Sequence, residues 1–492
     1  MKKALIIALA LILVLSAFVS CDKDDPNNNT DPNVTTDSSL DENTPPEQST
    51  PSEEETLQQL IDNPKTGSLA RELVPLELNN EYRFNAGDGG FTYVYKNVEL
   101  TAYTELREKI EANGFAKYTE TEFNSTRTSK YKNYFSTYIS NVTQIDLEYH
   151  ANAKRMYVTA TPRVKSALPS REAPEYTAAG AEYPTIMTQF GLEDIDKNNC
   201  SMSYIIRIAD GSFVIIDSGE SLAGVEDRIY SILKKQAPDP NNIVISAWVI
   251  THAHSDHHGG FLLFAKKYGK SSDITLKQMV YNFPDNSNLN SVDASSQTLT
   301  KNAISNFNGD VEILKPHTGN VLRYADVSFN VLYTQENYLA VSNHFGNYNT
   351  SSMVLQMVTK EGTKVIIAAD HPVSGSYGGV TWCEGALYNW YGDFIQSYVC
   401  TTFHHGLGGG ADLKIYDIIQ PKVVLWNVEQ YRIDLNNMKE NSFNKYFTGP
   451  AAPSKGIVYY VSSGSSVQIV SFDGGKANVA EYDTIADYLA SK

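Results

Sequence analysis

The sequence predicts an α+β protein with two globular domains, and three observations lead to this prediction. After a polar N-terminal segment about 430 residues remain, which is more than one hydrophobic core usually supports. Residues 68–162 combine short alternating strand patterns with one helical pattern, and residues 163–184 then show no periodicity. A second series of strand and helix patterns follows at 185–492, and a His-rich segment at 251–260 comes directly after a buried-strand pattern.

Residues 1–20 are predicted to be a signal peptide. Two lysines precede an apolar run from Ala4 to Val19, which is short for a membrane span. Cys21 follows at the position where bacterial lipoprotein signals are cleaved and lipidated, although Phe18 departs from the usual residue at its position. We therefore expect an extracytoplasmic lipoprotein that is anchored to a bacterial cell membrane through Cys21. Ordinary secretion, with Cys21 incidental, is the alternative.

Residues 21–60 are predicted to be a disordered acidic tether, because Asp, Asn, Thr, Ser, Pro and Glu dominate them. The acidic residues contribute to a formal net charge of −17, which argues against a basic nucleic-acid-binding surface. The other cysteines, Cys200, Cys383 and Cys400, form neither a disulfide framework nor a metal-type spacing.

The first domain is predicted to be one helix on a small antiparallel sheet. The helix, at 101–114, has Leu106 and Ile110 four residues apart and ends in Asn-Gly. Strand patterns lie at 91–95, 115–123, 132–138, 143–149 and 155–160. The many tyrosines fit half-buried sheet positions, and a carbohydrate- or aromatic-binding face is the alternative. His150 is expected to be structural or exposed.

The segment 251–260, Thr-His-Ala-His-Ser-Asp-His-His-Gly-Gly, is the candidate metal loop. Imidazoles and a carboxylate suit zinc, and a hydrolytic zinc keeps one coordination position open for water. In an extended loop alternate residues point the same way, so His252, His254 and Asp256 are expected to converge while His257 faces the opposite side. The pattern predicts two metals at one loop, and a solvated polar turn is the alternative.

The spacing His252-x-His254-x-Asp256-His257 resembles the signature of the metallo-β-lactamase fold hydrolases. Residues 203–219 resemble the opening hairpin of that family, with Asp217 at the position that supports the metal ligands. Residues 364–370 and 404–406 resemble its later strand and its final His motif. The resemblance covers about residues 185–475 and implies an αββα sandwich.

The resemblance also implies a site for two ions. The first ion takes His252, His254 and Asp370, and the second takes Asp256, His257, Asp370 and His405. His404 is then free to contact the substrate or give a proton to the leaving group. Which of His404 and His405 binds metal stays open, with His405 preferred.

Residues 343–356 resemble the Asn-x-x-Ser-Leu-Val-Leu stretch of one subgroup, which contains the hydrolase domain of DNA-uptake channel proteins and the phosphorylcholine esterases. His344 is a candidate third His for the first ion, or else a substrate contact. Without it, water or Asn349 would complete that site. His317, in a turn sequence, is expected to face solvent, and His371 is expected to point away from the ions.

These patterns predict a lipid-anchored hydrolase with two Zn²⁺, for which Mn²⁺ or Fe could substitute. Water activated by the ions would attack a phosphodiester, with Asp256 and His404 as catalytic residues. A small molecule or a cell-envelope component is the expected substrate, and nucleic acid is the weaker choice because the chain is acidic. Hydrolysis of lactams, lactones or other acyl compounds is one alternative, and a non-catalytic surface binding protein is another.

Overall fold

The computed structural model describes residues 52–67, 82–174, 182–192, 200–339, 348–373, 375–377, 380–382, 386–407 and 414–491. Residues 51–492 form one compact unit. The predicted signal peptide, Cys21 and His344 lie outside the described residues. Among the residues that are described, no helix is both long and apolar enough to cross a membrane.

The predicted tether extends too far along the chain, because helix α1 (Glu53–Asp62) occupies its last residues. Ser52 and Glu55 form a reciprocal capping box at the start of this helix. Leu57 is buried against Tyr118 and Ile139, which fixes the helix on the following domain. The Ser-x-x-Glu spacing was the signal in the sequence, within a composition that otherwise indicated disorder.

Six strands of the described chain form an N-terminal antiparallel sheet in the order β1-β2-β6-β5-β4-β3. The strands are β1 (Tyr82–Gly87), β2 (Gly90–Lys96), β3 (Ala116–Glu122), β4 (Asn133–Ile139), β5 (Thr143–His150) and β6 (Arg155–Pro162). Helix α2 (Leu100–Ala112) covers one face through Tyr103, Leu106 and Ile110. The prediction of one helix on an antiparallel sheet is confirmed. The shared core includes Tyr95, Tyr138 and Tyr149, so these rings are structural.

Two larger sheets follow in the chain. The first has the strand order β13-β12-β10-β9-β8-β7-β23-β24, with β11 beside β10, and the second has the order β14-β15-β16-β17-β20-β21-β22. The strands of the first sheet are β7 (Ile186–Phe190), β8 (Ser203–Arg207), β9 (Phe213–Asp217), β10 (Ile243–Val249), β11 (Ile274–Leu276), β12 (Gln278–Val280), β13 (Glu312–Leu314), β23 (Val467–Asp473) and β24 (Lys476–Tyr482). Those of the second are β14 (Val321–Tyr324), β15 (Val327–Tyr333), β16 (Val354–Thr359), β17 (Lys364–Ile367), β20 (Val399–Thr401), β21 (Val423–Trp426) and β22 (Val458–Val461), and β18 (Gly375–Tyr377) with β19 (Val380–Trp382) forms a separate hairpin.

The two sheets pack face to face and enclose an apolar core, to which Ile216 and Val249 contribute from one sheet and Leu355 and Ile367 from the other. Helices pack on the outer faces of both sheets. The helices are α3 (Val225–Gln236), α4 (Ser255–Tyr268), α5 (Ser291–Ala303), α6 (Gln335–Leu339), α7 (Ala386–Tyr391), α8 (Lys414–Ile419), α9 (Gln430–Leu435), α10 (Lys445–Thr448) and α11 (Ile485–Ala490). The predicted αββα sandwich is confirmed.

The strand ends bring the candidate site residues together. Strands β9 and β10 are parallel, so Asp217 and the loop that starts at Thr251 leave the first sheet at the same edge. Strands β17 and β20 are parallel in the second sheet, so Asp370 and His404 follow neighbouring carboxyl ends. Residues far apart in sequence therefore meet at one edge of the sandwich.

Candidate metal centre

Asp256, His257, Asp370 and His405 form one cluster, in which one ligand atom from each residue lies within 4.8 Å of all the others. Asp370 Oδ1 is 3.1 Å from His257 Nε2 and 3.2 Å from His405 Nε2. These three atoms are buried and have no hydrogen-bond partner. Buried polar atoms without partners are costly, and a divalent cation with nitrogen and oxygen ligands satisfies all three. The residues present therefore fit a metal ion.

His252, His254 and Asp370 form a second cluster. His252 Nε2 is 3.1 Å from His254 Nδ1 and 3.9 Å from Asp370 Oδ2. Asp370 thus offers one oxygen to each cluster, as a carboxylate between two ions would.

The expected convergence of Asp256 with His252 and His254 is wrong. Helix α4 begins at Ser255, directly after its N-cap residue His254, so the two-residue alternation of an extended loop ends there. Asp256 and His257 lie together in the other cluster as a result. The first turn of α4 thus contributes Asp256 and His257 to one cluster, while the loop before it contributes His252 and His254 to the other.

Asp217 supports the metal loop at 251–260 through three hydrogen bonds. Its carboxylate accepts hydrogen bonds from Thr251 N at 2.8 Å, Thr251 Oγ1 at 2.7 Å and His257 Nδ1 at 2.8 Å. With its Nδ1 proton donated to Asp217, His257 presents Nε2 to the metal cluster. Burial alone would lower the pKa of His257, but the carboxylates of Asp370, Asp256 and Asp217 raise it to about 10. Burial raises the pKa of Asp217 itself.

The protonation states of His252 and Asp370 suit metal binding. Burial, with His257 and His254 nearby, holds the pKa of His252 well below its usual value, so this imidazole is neutral at pH 7. Burial opposes ionisation of Asp370, but the imidazoles of His405 and His257 hold its pKa well below the usual range. Neutral imidazole and ionised carboxylate are the forms that coordinate metals. Burial would lower the pKa of His405, but Asp370 raises it well above its usual value, so His405, like His257, must release a proton before it can bind an ion.

His404 and His405 point to different places although they are adjacent. Their φ angles of 45° and 52° are left-handed, which is rare for residues other than glycine and is typical of functional sites. His405 Nε2 joins the cluster with Asp256 and Asp370, while His404 Nε2 lies 3.8 Å from the other oxygen of Asp370. The structure thus brings His405, and not His404, into the cluster with Asp256, His257 and Asp370. Asn349 Nδ2 donates to His404 Nε2 at 3.0 Å.

Asn427 supports the site, and the sequence did not indicate it. His405 Nδ1 donates to the backbone carbonyl of Asn427 at 3.0 Å, which directs Nε2 toward the ligand cluster. The Asn427 side chain also lies beside this imidazole, with Nδ2 3.1 Å from His405 Nδ1 and Oδ1 accepting a hydrogen bond from Thr402 Oγ1 at 2.9 Å. Only the place of Asn427 directly after the closing strand β21 could have pointed to it.

Gly259 and Gly260 allow α4 to approach the turn that follows Asp217. A Cβ atom at Gly260 would lie 2.1 Å from Ser218 O, and one at Gly259 would lie 2.3 Å from Ser221 N. This close packing lets Ser218 N and Oγ donate to His257 O at 2.7 and 2.8 Å. The two glycines therefore help to position His257 beside Asp217.

His317 and His371 also lie outside both clusters. The prediction that His317 faces solvent is wrong, because the N-terminal sheet covers its turn and Thr161 Oγ1 lies 3.2 Å from His317 Nε2. His371 is buried, its Nδ1 accepts a hydrogen bond from Val373 N at 3.0 Å, and its ring packs on Tyr333 with centroids 4.3 Å apart.

The sandwich and the paired ligand clusters at its edge define a metal-dependent hydrolase of the αββα type. Residues 200–323 match the family model described as the Metallo-beta-lactamase superfamily. The matched segment includes His252, His254, Asp256 and His257 and ends before Asp370 and His405, whose assignment depends on the geometry above.

Three solved structures are similar to parts of this chain. A metallo-beta-lactamase fold protein, YhfI from Bacillus subtilis, is 12% identical, with 58% of this chain and 99% of that chain covered and a TM-score of 0.33. A structure described as a possible metal-dependent hydrolase from Veillonella parvula is 10% identical, with 61% and 99% covered and a TM-score of 0.29. A Cronobacter sakazakii structure described as a metallo-beta-lactamase with a HARLDQ motif is 10% identical, with 52% and 90% covered and a TM-score of 0.25. The sequence has no significant match among curated proteins.

Proposed function

We propose that this protein is a dinuclear zinc phosphodiesterase that acts outside the cytoplasm on a small or cell-envelope substrate. The observation that carries the proposal is the position of Asp370, whose two oxygens face two separate ligand clusters. His252, His254 and Asp370 would hold one ion, and Asp256, His257, Asp370 and His405 the other. Imidazole and carboxylate ligands favour Zn²⁺ and also accept Mn²⁺ or Fe.

Two bound divalent ions would lower the pKa of a water molecule toward 7 and polarise a phosphoryl oxygen. The chain's own residues hold and orient this centre. Asp217 and the Asn427 carbonyl fix the protons of His257 and His405 on Nδ1, away from the ligand cluster. We assign to His404, beside Asp370 and partly exposed, the contact with the substrate. To give a proton to the leaving group, its Nε2 would first have to lose the hydrogen bond that it accepts from Asn349 and bind a proton.

A phosphodiester is preferred over an acyl substrate for two reasons. Paired divalent ions stabilise both the attacking and the leaving oxygen of an in-line displacement at phosphorus. In addition, residues 343–356 resemble the subgroup that contains phosphorylcholine esterases. The net charge of −17 disfavours a nucleic-acid strand. Lipidation at Cys21 would place the enzyme at the outer side of a bacterial cell membrane, where envelope phosphodiesters occur.

The test is metal content and turnover of the purified protein. We expect two zinc ions per chain and chelator-sensitive hydrolysis of bis-p-nitrophenyl phosphate, with no hydrolysis of nitrocefin. Asp370→Asn should lower turnover at least about 1,000-fold, since removing one strong charge-stabilising group costs about 10²–10³ and this one serves two ions. Asp434→Asn, on the surface helix α9, is the matched control and should keep wild-type activity.

Each other outcome contradicts a different part of the proposal. Turnover of nitrocefin alone would assign the site to acyl substrates. A chain that binds two ions and hydrolyses neither substrate would favour a binding protein. A chain that binds no metal would contradict the site itself.

A further inference from the structure

Strand β5 carries a buried polar stripe on the face opposite to α2. Ile145, Leu147 and Tyr149 point into the core with α2. The alternate side chains are polar and equally buried, and they are Gln144, Asp146, Glu148 and His150. Burying such groups costs free energy unless each finds a partner. Several of the partners are supplied by the sandwich, so the stripe joins the N-terminal sheet to the sandwich.

Glu148 is linked through α6 to the first of two segments that flank the metal centre, the turn Tyr348–Ser351. Asn337 Nδ2, on α6, donates to the two carboxylate oxygens of Glu148 at 2.9 and 3.0 Å. Helix α6 packs against the turn Tyr348–Ser351. In that turn Asn349 holds His404, and the Tyr348 ring lies 5.3 Å from the His254 ring.

His150 is linked through aromatic rings to the second flanking segment, which carries Asp370 and His371. Its ring stacks on Trp390 of α7 with centroids 3.9 Å apart, and Asn133, which bonds to His150 Nδ1, also donates to the Trp390 carbonyl at 3.0 Å. Trp390 lies against Tyr333 at 6.3 Å, and Tyr333 lies against His371 at 4.3 Å. His371 is the neighbour of Asp370. A continuous packed path thus runs from β5 to the residue between the two ligand clusters.

Glu148 and His150 are themselves in contact, so the two paths start from one pair. We propose that Glu148 and His150 are positioning residues of the metal centre, through which the N-terminal sheet fixes the segments that carry Asn349 and Asp370. The inference rests on the proposed function, because it assigns the sheet a role in that same site. It assigns the N-terminal sheet a role inside the molecule, in place of the carbohydrate- or aromatic-binding face that its tyrosines suggested.

The expected effect is a shift in metal affinity rather than a loss of fold. Removing the Glu148 carboxylate leaves Asn337 Nδ2 without its acceptor and loosens both paths. Outer partners of metal ligands are typically worth about 10–100-fold in metal affinity or activity. Because Glu148 acts through further residues, we expect about the lower limit, a 10-fold loss.

The test compares Glu148→Ala, His150→Ala and Glu148→Gln in the full chain. The glutamine keeps an oxygen that can accept from Asn337. The matched control is Glu120→Ala, which removes a carboxylate of the same sheet whose partner, Arg107 at 2.6 Å, lies in the N-terminal domain. Zn²⁺ affinity is measured by competition with a chromophoric chelator, thermal unfolding checks the fold, and kcat and KM are measured on bis-p-nitrophenyl phosphate.

We expect the alanine variants at 148 and 150 to lose about 10-fold in Zn²⁺ affinity and in kcat, with KM little changed. Glu148→Gln should recover most of the affinity and of kcat, and Glu120→Ala should match wild type. Folded alanine variants with wild-type affinity and kcat would overturn the proposal. If Glu148→Ala does not fold, Asn337→Ala removes the same hydrogen bonds from α6, and wild-type affinity in that variant overturns it equally. Absence of hydrolysis by the wild type would contradict the proposed function, while the affinity comparison still decides the positioning role.

Discussion

At the scale of single residues, the candidate metal ligands were predictable because their chemistry is local. Four ligand-type side chains within the loop at 252–257 and an Asp after an apolar strand are visible in the sequence alone. The supporting atoms are less visible. The acceptor for His405 is a backbone carbonyl, and the separation of His404 from His405 depends on two left-handed backbone conformations. Neither feature has a characteristic residue type, so the sequence left the choice between the two histidines open.

Asp217 gives the sharpest prediction at this scale. In Asp217→Asn the amide can place an N–H against His257 Nδ1, which favours the tautomer with the proton on Nε2, where the metal should bind. We expect the second ion to be lost or bound about 10–100-fold more weakly while the first ion is retained. Metal content per chain and chelator competition measure this. Two ions held with wild-type affinity would show that Asp217 does not set the tautomer of His257.

At the scale of elements, the strand and helix patterns predicted most of the sandwich, since each depends on periodicity within a few residues. The loop at 251–257 was misjudged because a helix N-terminus replaced the expected extended chain. The turn at His317 was misjudged because the side chain that covers it comes from β6, 156 residues earlier in the sequence. Contacts of that kind leave no local pattern.

His317 carries a pH-dependent prediction. Its Nδ1 donates to Glu336 at 3.1 Å, Asp146 lies 3.8 Å from its Nε2, and Lys315 is the nearby cation. Burial would lower the pKa of His317, but Asp146 and Glu336 raise it above its usual value near 6.5. A raised pKa contributes stability that is full below about 6.5 and is lost as the pH rises through the folded-state pKa.

We therefore expect His317→Gln to lower the free energy of unfolding by about 3 kcal/mol at pH 6, and by less at pH 8.5. Glu336 does not confound this window: burial would raise its pKa, but His317 and Lys315 lower it to about 2, so its contribution changes only below about pH 4.5. Urea unfolding of both proteins at the two pH values measures the difference. A gap that is constant or widens with pH would contradict a charged His317.

At the scale of the whole molecule, the metal centre should also stabilise the fold. Its ligands come from both sheets of the sandwich, because Asp256 and His257 follow β10 while Asp370 and His405 follow β17 and β20. Without a cation, the carboxylates of the partly exposed Asp256 and the buried Asp370 lie together and depend on imidazoles for compensation. An ion bound at this edge would therefore link the two sheets and neutralise their shared charge.

We accordingly expect Zn²⁺ to raise the free energy of unfolding and a chelator to lower it. An ion that binds only the folded chain adds about 2.7 kcal/mol at a free concentration 100 times its Kd. Denaturant unfolding of the full chain in buffered Zn²⁺ and in EDTA measures the difference. The variant Asp370→Asn removes the residue shared by both ligand clusters, so it should unfold with nearly the same midpoint in the two buffers. If the wild-type midpoint is the same in the two buffers, the ligand clusters do not hold the sheets together. If the midpoint of Asp370→Asn still shifts with Zn²⁺, the stabilising ion binds elsewhere in the chain.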